Sequence, residues 1–437
     1  MRSDSSGVDP MAACQAITTE FRGWQEATLE NGLVKLVAVP DIGGRLMAYD
    51  LGNYSYLYVD PSLAGKVFTK EENLGDGSLA AWKNYGGDKT WPAPQGWDND
   101  NQWHGPPDPV LDSGRYALEA FGTTGDEALV EMVSPPDGST GLQITREITL
   151  KRGSTRVNLE LIFTNISDRK IHWSIWDVVQ LRAERRLPDG RLDYEPQCSI
   201  SAPLNPESRF PGGFNVMFGA ENNPQWKADP ERGLFLARYL WEIGKVSLDS
   251  PGDWIAFSNN ASANAFAARY TYHPDLEYPD EGATVECWTV GKGKVANLDY
   301  ENSDIYLMEV EVLSPLYEFQ PGEAHSFVIE WGVCKCPGPI QSVSEAGCVG
   351  ETLPAARANG RLRLQGKFGV FEPGDLYLVW KDPNDQVIET IHIGAVTPLA
   401  PIHIDDAFDR PPQATGLELN VIASVDRRGR KLATLKL

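Results

Sequence analysis

Leu142 to Asn165 reads L-Q-I-T-R-E-I-T-L-K-R-G-S-T-R-V-N-L-E-L-I-F-T-N. Apart from Arg146, apolar side chains recur at every second position on both sides of the polar turn Lys151-Arg152-Gly153-Ser154. That period puts one set of side chains on one face, so the stretch predicts two long, half-buried, antiparallel strands. The pattern continues outward. Arg115–Ala120 and Ala128–Val133 precede it, and Ile171–Leu181 follows. Nearer the N-terminus, Leu33–Val39, Arg45–Asp50 and Tyr54–Val59 read as strands after the turns Asn31-Gly32 and Gly43-Gly44. Towards the C-terminus the strand-like runs are Gly233–Tyr239, Trp254–Asn259, Ala265–Tyr272, Ala283–Val290, Ile305–Leu313 and His325–Val333. Asp60–Lys70 is the one short helix the sequence predicts; no segment sustains a 3.6-residue apolar stripe. An all-β fold of two large antiparallel sheets follows.

Cys336 to Pro354 is a shift in composition and reads as a linker. Beyond it, Arg361–Gly366, Leu376–Trp380, Val387–Ile393, Pro401–Ile404 and Leu417–Ser424 predict a small β-sandwich. The expected organisation is a lead-in over 1–20, a large β domain over 21–336, a linker over 337–354 and a small β-sandwich over 355–437.

The chain of 437 residues carries 39 basic and 61 acidic side chains, a net charge of −22. Nucleic acid wants a basic stripe, and none is visible, so no nucleic-acid partner is expected. No run of 18 apolar residues exists, so no membrane-spanning helix is expected either. The opening M-R-S-D-S-S-G-V-D-P lacks the apolar core of a leader and points to the cytoplasm, with the periplasm or secretion as the alternative if a leader was removed. The six cysteines fit no zinc spacing; free buried thiols are expected, with a Cys336–Cys348 disulfide as the alternative. Gly291-Lys-Gly-Lys-Val-Ala296 matches a dinucleotide fingerprint only superficially, since no βαβ unit surrounds it, and reads as a turn. Asp98-Asn-Asp-Asn101 offers oxygens but no calcium-loop signature. Neither a cofactor nor a metal is expected.

The function is carried by Trp82–Gly105, W-K-N-Y-G-G-D-K-T-W-P-A-P-Q-G-W-D-N-D-N-Q-W-H-G. Glycines and prolines break any regular element, so the stretch reads as a long loop, and long ordered loops tend to be functional. Indole faces beside amides, carboxylates and a histidine suit a sugar: the rings cover its C–H face and the polar groups read its hydroxyls. The alternative is a tryptophan plug closing one end of a sandwich. On the strand H-W-S-I-W-D-V-V-Q-L-R, His172, Trp176, Gln180 and Arg182 share parity and predict a site face rather than a sealed core. Glu309 and Glu311 also share parity, and two carboxylates on one face are candidates for general-base work.

These signals resemble the galactose-mutarotase-like β-supersandwich over roughly residues 20–335. Gly86–Pro94 followed by Trp103-His104-Gly105 is similar to the loop of hexose-phosphate mutarotases that precedes a catalytic His-Gly. G-G-D-K-x-W-P-A-P with P-P-D-P-V at Pro106–Val110 is similar to an uncharacterised domain-of-unknown-function family of that superfamily. The resemblance implies His104 as general acid and Glu309 as general base in opening and reclosing an aldose ring. It departs from the family where a second histidine is expected: Trp176 stands there, and His172 sits four residues earlier.

Three functions are weighed. The first is sugar isomerisation of the epimerase or mutarotase type, with Trp91, Trp103 and Trp176 as the platform and Trp82 and His172 beside them. The second is a polysaccharide lyase, with Tyr85, His104 or Lys89 as base and Asn84, Arg115 or Arg182 stabilising the enolate. The third is a saccharide binder without catalysis.

Overall fold

The computed structural model describes residues 9–99, 101–295, 298–299, 303–358 and 361–435. Residues 1–8 of the expected lead-in, Asp100 and Ala296 lie outside them. The chain folds into a large sandwich of a 12-stranded and a 10-stranded antiparallel sheet, followed by two four-stranded sheets. This is the predicted all-β architecture. No helix among the described residues is long and apolar enough to cross a membrane.

The 10-stranded sheet is built around the deciding stretch. Leu142–Lys151 pairs with Val157–Asn165, in register Leu150↔Val157 to Leu142↔Asn165. Burial along the first strand alternates along its length, as its period of two requires. Ile144, Ile148, Leu159, Leu161 and Phe163 enter the core between the sheets.

Six strands of the 12-stranded sheet position the site: β1 (Asp88–Ala93), β2 (Ile171–Arg182), β3 (Asn215–Phe218), β4 (Gly244–Leu248), β5 (Val285–Thr289) and β6 (Leu307–Leu313). In space they run β1-β2-β6-β5-β4-β3. One face of these strands packs against the other sheet; the opposite face carries the site described below.

Asp88–Ala93 corrects the reading of Trp82–Gly105 as loop throughout. The run D-K-T-W-P-A shows no apolar alternation because every residue in it is buried. Its charged members, Asp88 and Lys89, are both paired. Asp88 faces the inter-sheet core, where its carboxylate binds the buried guanidinium of Arg146. Asp177 of β2 lies in the same buried cluster. Burial, then the charge of Asp88, push the Asp177 carboxyl well above the usual carboxylate range despite Arg146. Pro92 is tolerated because β1 meets its second neighbour only at Leu46↔Asp88, so the missing N–H breaks no ladder bond. Gly86 and Gly87, at φ 91° and 72°, let the chain enter β1. A Cβ would stand 2.3 Å from the Tyr58 carbonyl at the first and 2.4 Å from the Leu46 carbonyl at the second.

Three further boundaries differ from expectation. Gln15–Phe21, at the end of the expected lead-in, pairs with Trp24–Glu30. The short helix is Lys70–Leu74, capped by Thr69 and Glu72, rather than 60–70. The stretch 337–354 holds the strand Ser342–Ser344 and the first half of Gly347–Ala358. Alternation is hidden there because the second strand shifts register at Val349/Glu351 and Leu353/Ala356. The last two sheets enclose their own apolar cluster around Trp380, Leu376, Leu378, Leu417 and Leu419. All six cysteines are free and buried.

Candidate functional site

Register places the site's side chains in cross-strand rows. Gln180 stands opposite Glu309, Glu309 opposite Trp288, and Trp288 opposite Lys245. All four therefore point to one face across β2, β6, β5 and β4. The next row holds Lys89 opposite Val178, Val178 opposite Glu311 and Glu311 opposite Glu286. A third puts Trp91 opposite Trp176. Two inter-strand steps separate Glu309 from Lys245, about 10 Å at the backbone, with the Trp288 indole between them.

Over this face lies a cavity of about 360 Å³. Its walls are Trp82, Trp91, Trp97, Trp176, Trp288 and Phe218; its polar lining includes Glu309, Gln180, Lys245, Asn84 and Gln95. Trp91 is the hub of the wall, with ring centroids 5.8 Å from Trp82, 4.8 Å from Trp103 and 5.4 Å from Trp176. Asp112, buried in an ion pair with Arg45, fixes two of these rings: its oxygens accept from Trp82 Nε1 at 2.8 Å and Trp91 Nε1 at 3.2 Å.

Glu309 is the one carboxylate lining the cavity among the described residues. Its Oε1 accepts from Gln180 Nε2 at 2.6 Å and from Lys89 Nζ at 3.2 Å. The Lys89 ammonium also lies over the Trp91 and Trp82 rings, 4.9 and 5.6 Å from their centroids. Burial lowers the pKa of Lys89, and Glu309 only partly restores it.

Lys245 sits between two carboxylates, 2.6 Å from Glu286 Oε2 and 3.0 Å from Glu311 Oε2, with its Nζ 4.4 Å from the Trp176 centroid. Burial works against its charge, but Glu286 and Glu311 outweigh burial and hold the ammonium well above its ordinary value. Glu311 is pushed up to about 8 by burial first and by Glu286 and Glu309 after it, against the pull of Lys245. Burial raises the Glu286 carboxyl as well, against the pull of Lys245. Trp176 Nε1 donates to Glu311 Oε2 at 3.0 Å, so the same cluster anchors a cavity wall.

Of the residues predicted from sequence, Trp82, Asn84, Trp91, Trp176 and Glu309 line this cavity, and Lys89 touches Glu309 from behind. Trp103 and His104 line a neighbouring cavity of about 570 Å³. Trp97 borders both cavities and its Nε1 donates to the His104 carbonyl at 2.9 Å. His104 Nε2 lies 3.2 Å from the Asn99 carbonyl.

Tyr85 lines neither cavity; it is buried in a cluster with Trp24 and Val39. Arg115 is exposed and paired with Asp41 at 2.8 Å. His172 pairs with Glu318 at 3.1 Å. Arg182 stacks on Tyr54, 5.5 Å from its centroid. Parity on β2 fixed the face but not the position along it: His172 and Arg182 lie about 13 and 20 Å along the strand from Trp176. Lys245, Trp288, Phe218, Trp97 and Asp112 went unassigned. For Lys245 and Trp288 the signal was present in the alternations G-K-V-S-L and V-E-C-W-T, but only strand order brings them to Glu309.

Among curated proteins no sequence matches this chain. The model of a family described only as a domain of unknown function, DUF4380, matches residues 24–188, which include Trp82, Lys89, Trp91, His104 and Trp176 but not Glu309. Among solved structures, a protein described as a "putative aldose 1-epimerase" from Klebsiella pneumoniae aligns over 73% of this chain and 82% of its own at 13% identity, with a TM-score of 0.50. A galactose mutarotase-like protein from Clostridium acetobutylicum aligns over 74% of this chain and 99% of its own at 12% identity, with a TM-score of 0.46. At such identity the likeness concerns fold alone. The chain has the architecture of a mutarotase-like β-sandwich.

Proposed function

We propose that this protein binds a saccharide in the tryptophan-walled cavity and isomerises it by acid–base chemistry at Glu309. The observation that carries this reading is the row Gln180–Glu309–Trp288–Lys245. A carboxylate and an ammonium flank an indole, at a spacing that suits one pyranose ring. Glu309 takes the proton of the anomeric hydroxyl, the C1–O bond to the ring oxygen breaks, and its electron pair goes to that oxygen. Lys245 stabilises the charge that develops there, and water supplies the proton. Rotation about the opened chain and reclosure on the other face give the second anomer and return both protons. His104 stays outside this step, because Trp97 stands between the cavities. NMR exchange spectroscopy between the anomers of glucose, galactose and mannose tests the reading. Catalysed exchange lost in Glu309→Gln and kept in His104→Ala supports it; exchange lost in His104→Ala and kept in Glu309→Gln reverses the roles.

A second reading, a binder without catalysis, draws on the hydrogen bonding of Glu309, whose Oε1 already accepts from two neighbours. Saccharide binding with no exchange in any series supports it. The lyase reading has less to stand on. Tyr85 is buried away from the cavity, and Arg115 and Arg182 lie elsewhere, paired with Asp41 and stacked on Tyr54.

A further inference from the structure

The neighbouring cavity has no role in the chemistry above, yet it adjoins the first along a shared wall. Trp97 and Gly77 border both. Trp97 is 56% exposed and is the only tryptophan in the exposed class among the described residues. So large an apolar surface left in water is unfavourable by itself.

Its position is not loose. Gly96 N donates to the Trp103 carbonyl and Trp103 N to the Pro94 carbonyl, both at 2.9 Å. Gln95 Nε2 donates to the Gly105 carbonyl at 2.7 Å, and Asp98 N to Gln102 Oε1 at 2.8 Å. The indole N–H is satisfied by His104. What Trp97 has left to offer is its ring, held in place between two hollows. Beyond it, the second cavity presents His104, Arg169, Gln102 and Ser139, which are donors and acceptors of the kind that read hydroxyls. Trp103 and Trp173 complete its apolar wall.

We infer that the second cavity is a second sugar subsite, so that the ligand is an oligosaccharide of at least two rings passing over Trp97. This rests on the saccharide reading of the first cavity. One ring lies on Trp288 beside Glu309, and the next occupies the hollow beside His104. The chain then recognises a glycan end rather than a free monosaccharide.

Calorimetric titration of the full chain compares glucose, galactose and mannose with cellobiose, lactose, mannobiose and cellotriose. In the series that binds, the disaccharide is expected to bind at least about tenfold more tightly than its monosaccharide, equivalent to about 1.4 kcal/mol. Trp97→Ala, which removes the shared wall, and Arg169→Trp, which fills the second cavity from an exposed position, are each expected to bring that ratio close to one. Trp97→Phe, which keeps a ring, is expected to retain most of it. A ratio near one in the unmodified protein overturns the inference and leaves the single-ring site standing. So does a ratio that survives both Trp97→Ala and Arg169→Trp. Failure of every sugar in the panel to bind overturns the saccharide reading and this inference together.

Discussion

Lys89 Nζ lies 3.2 Å from Glu309 Oε1, although 220 positions separate the two in sequence. The contact joins the edge of the tryptophan-rich stretch to the strand that carries the proposed base, with β2 between them. Lys89 comes to it through burial beside Trp82 and Trp91. Burial lowers the pKa of its ammonium, and Glu309 works against that shift.

Glu309→Gln is therefore expected to fold. It keeps the shape and the Gln180 neighbour, and burial already lowers the pKa of the lysine it leaves without a carboxylate. Anomer exchange is expected to fall by about 10²-fold or more, as for loss of a general base. His104→Ala is expected to change it by less than about threefold. NMR exchange rates on the two purified variants check both.

The Asp88–Arg146–Asp177 cluster between the sheets gives an asymmetric expectation. Asp88→Ala strands a fully buried guanidinium and is expected to cost about 3–5 kcal/mol. Burial and the charge of Asp88 push the Asp177 carboxyl well above the usual carboxylate range, so Asp177→Asn, which keeps the shape, is expected to cost no more than about 1 kcal/mol. Urea unfolding at neutral pH separates them; equal costs would contradict the expected asymmetry.

Glu311 supplies a pH dependence. Its carboxyl is raised from 4.5 to about 8 in the fold, so between those values the folded state holds more proton than the unfolded state. Stability from this group is then lost as pH rises through the window. Glu311→Gln removes the titrating group and leaves the Lys245–Glu286 pair in place. The variant is expected to gain stability relative to the unmodified protein as pH rises from 4.5 to about 8. Parallel stability profiles across that range would contradict it.

The tryptophans of the long stretch divide into two kinds. Trp103 is 1% exposed, with its Nε1 donating to Asp108 Oδ2 at 3.2 Å. Trp103→Ala is expected to cost about 3–5 kcal/mol of stability. Trp97→Ala is expected to cost no more than about 0.5 kcal/mol, with its effect on saccharide affinity instead. The stretch is both a plug and a wall, and thermal unfolding beside titration tells which residue does which.

How much of this was legible follows from where each residue sits. Leu142–Asn165 announces its strands because one face meets the core and the other meets water. Asp88–Ala93 does not, because it is buried throughout and its charged residues find partners more than 50 positions away. Parity marks Glu309 and Glu311 alike without knowledge of strand order, and the resemblance singles out Glu309. Lys245 and Trp288 were missed for the converse reason. Each belongs to the site only because β4 and β5 lie next to β6, and nothing local in the chain states that order. His104 was tied to Glu309 by resemblance, whereas the braced loop turns it to the far side of Trp97.

The most direct test is a crystal structure of the protein soaked with the tightest-binding saccharide of the panel. A pyranose ring over Trp288, walled by Trp91 and Trp176, with its anomeric hydroxyl within hydrogen-bond reach of Glu309, is the predicted result. A sugar bound only beside His104, or on another face with the Glu309 cavity empty, would contradict it.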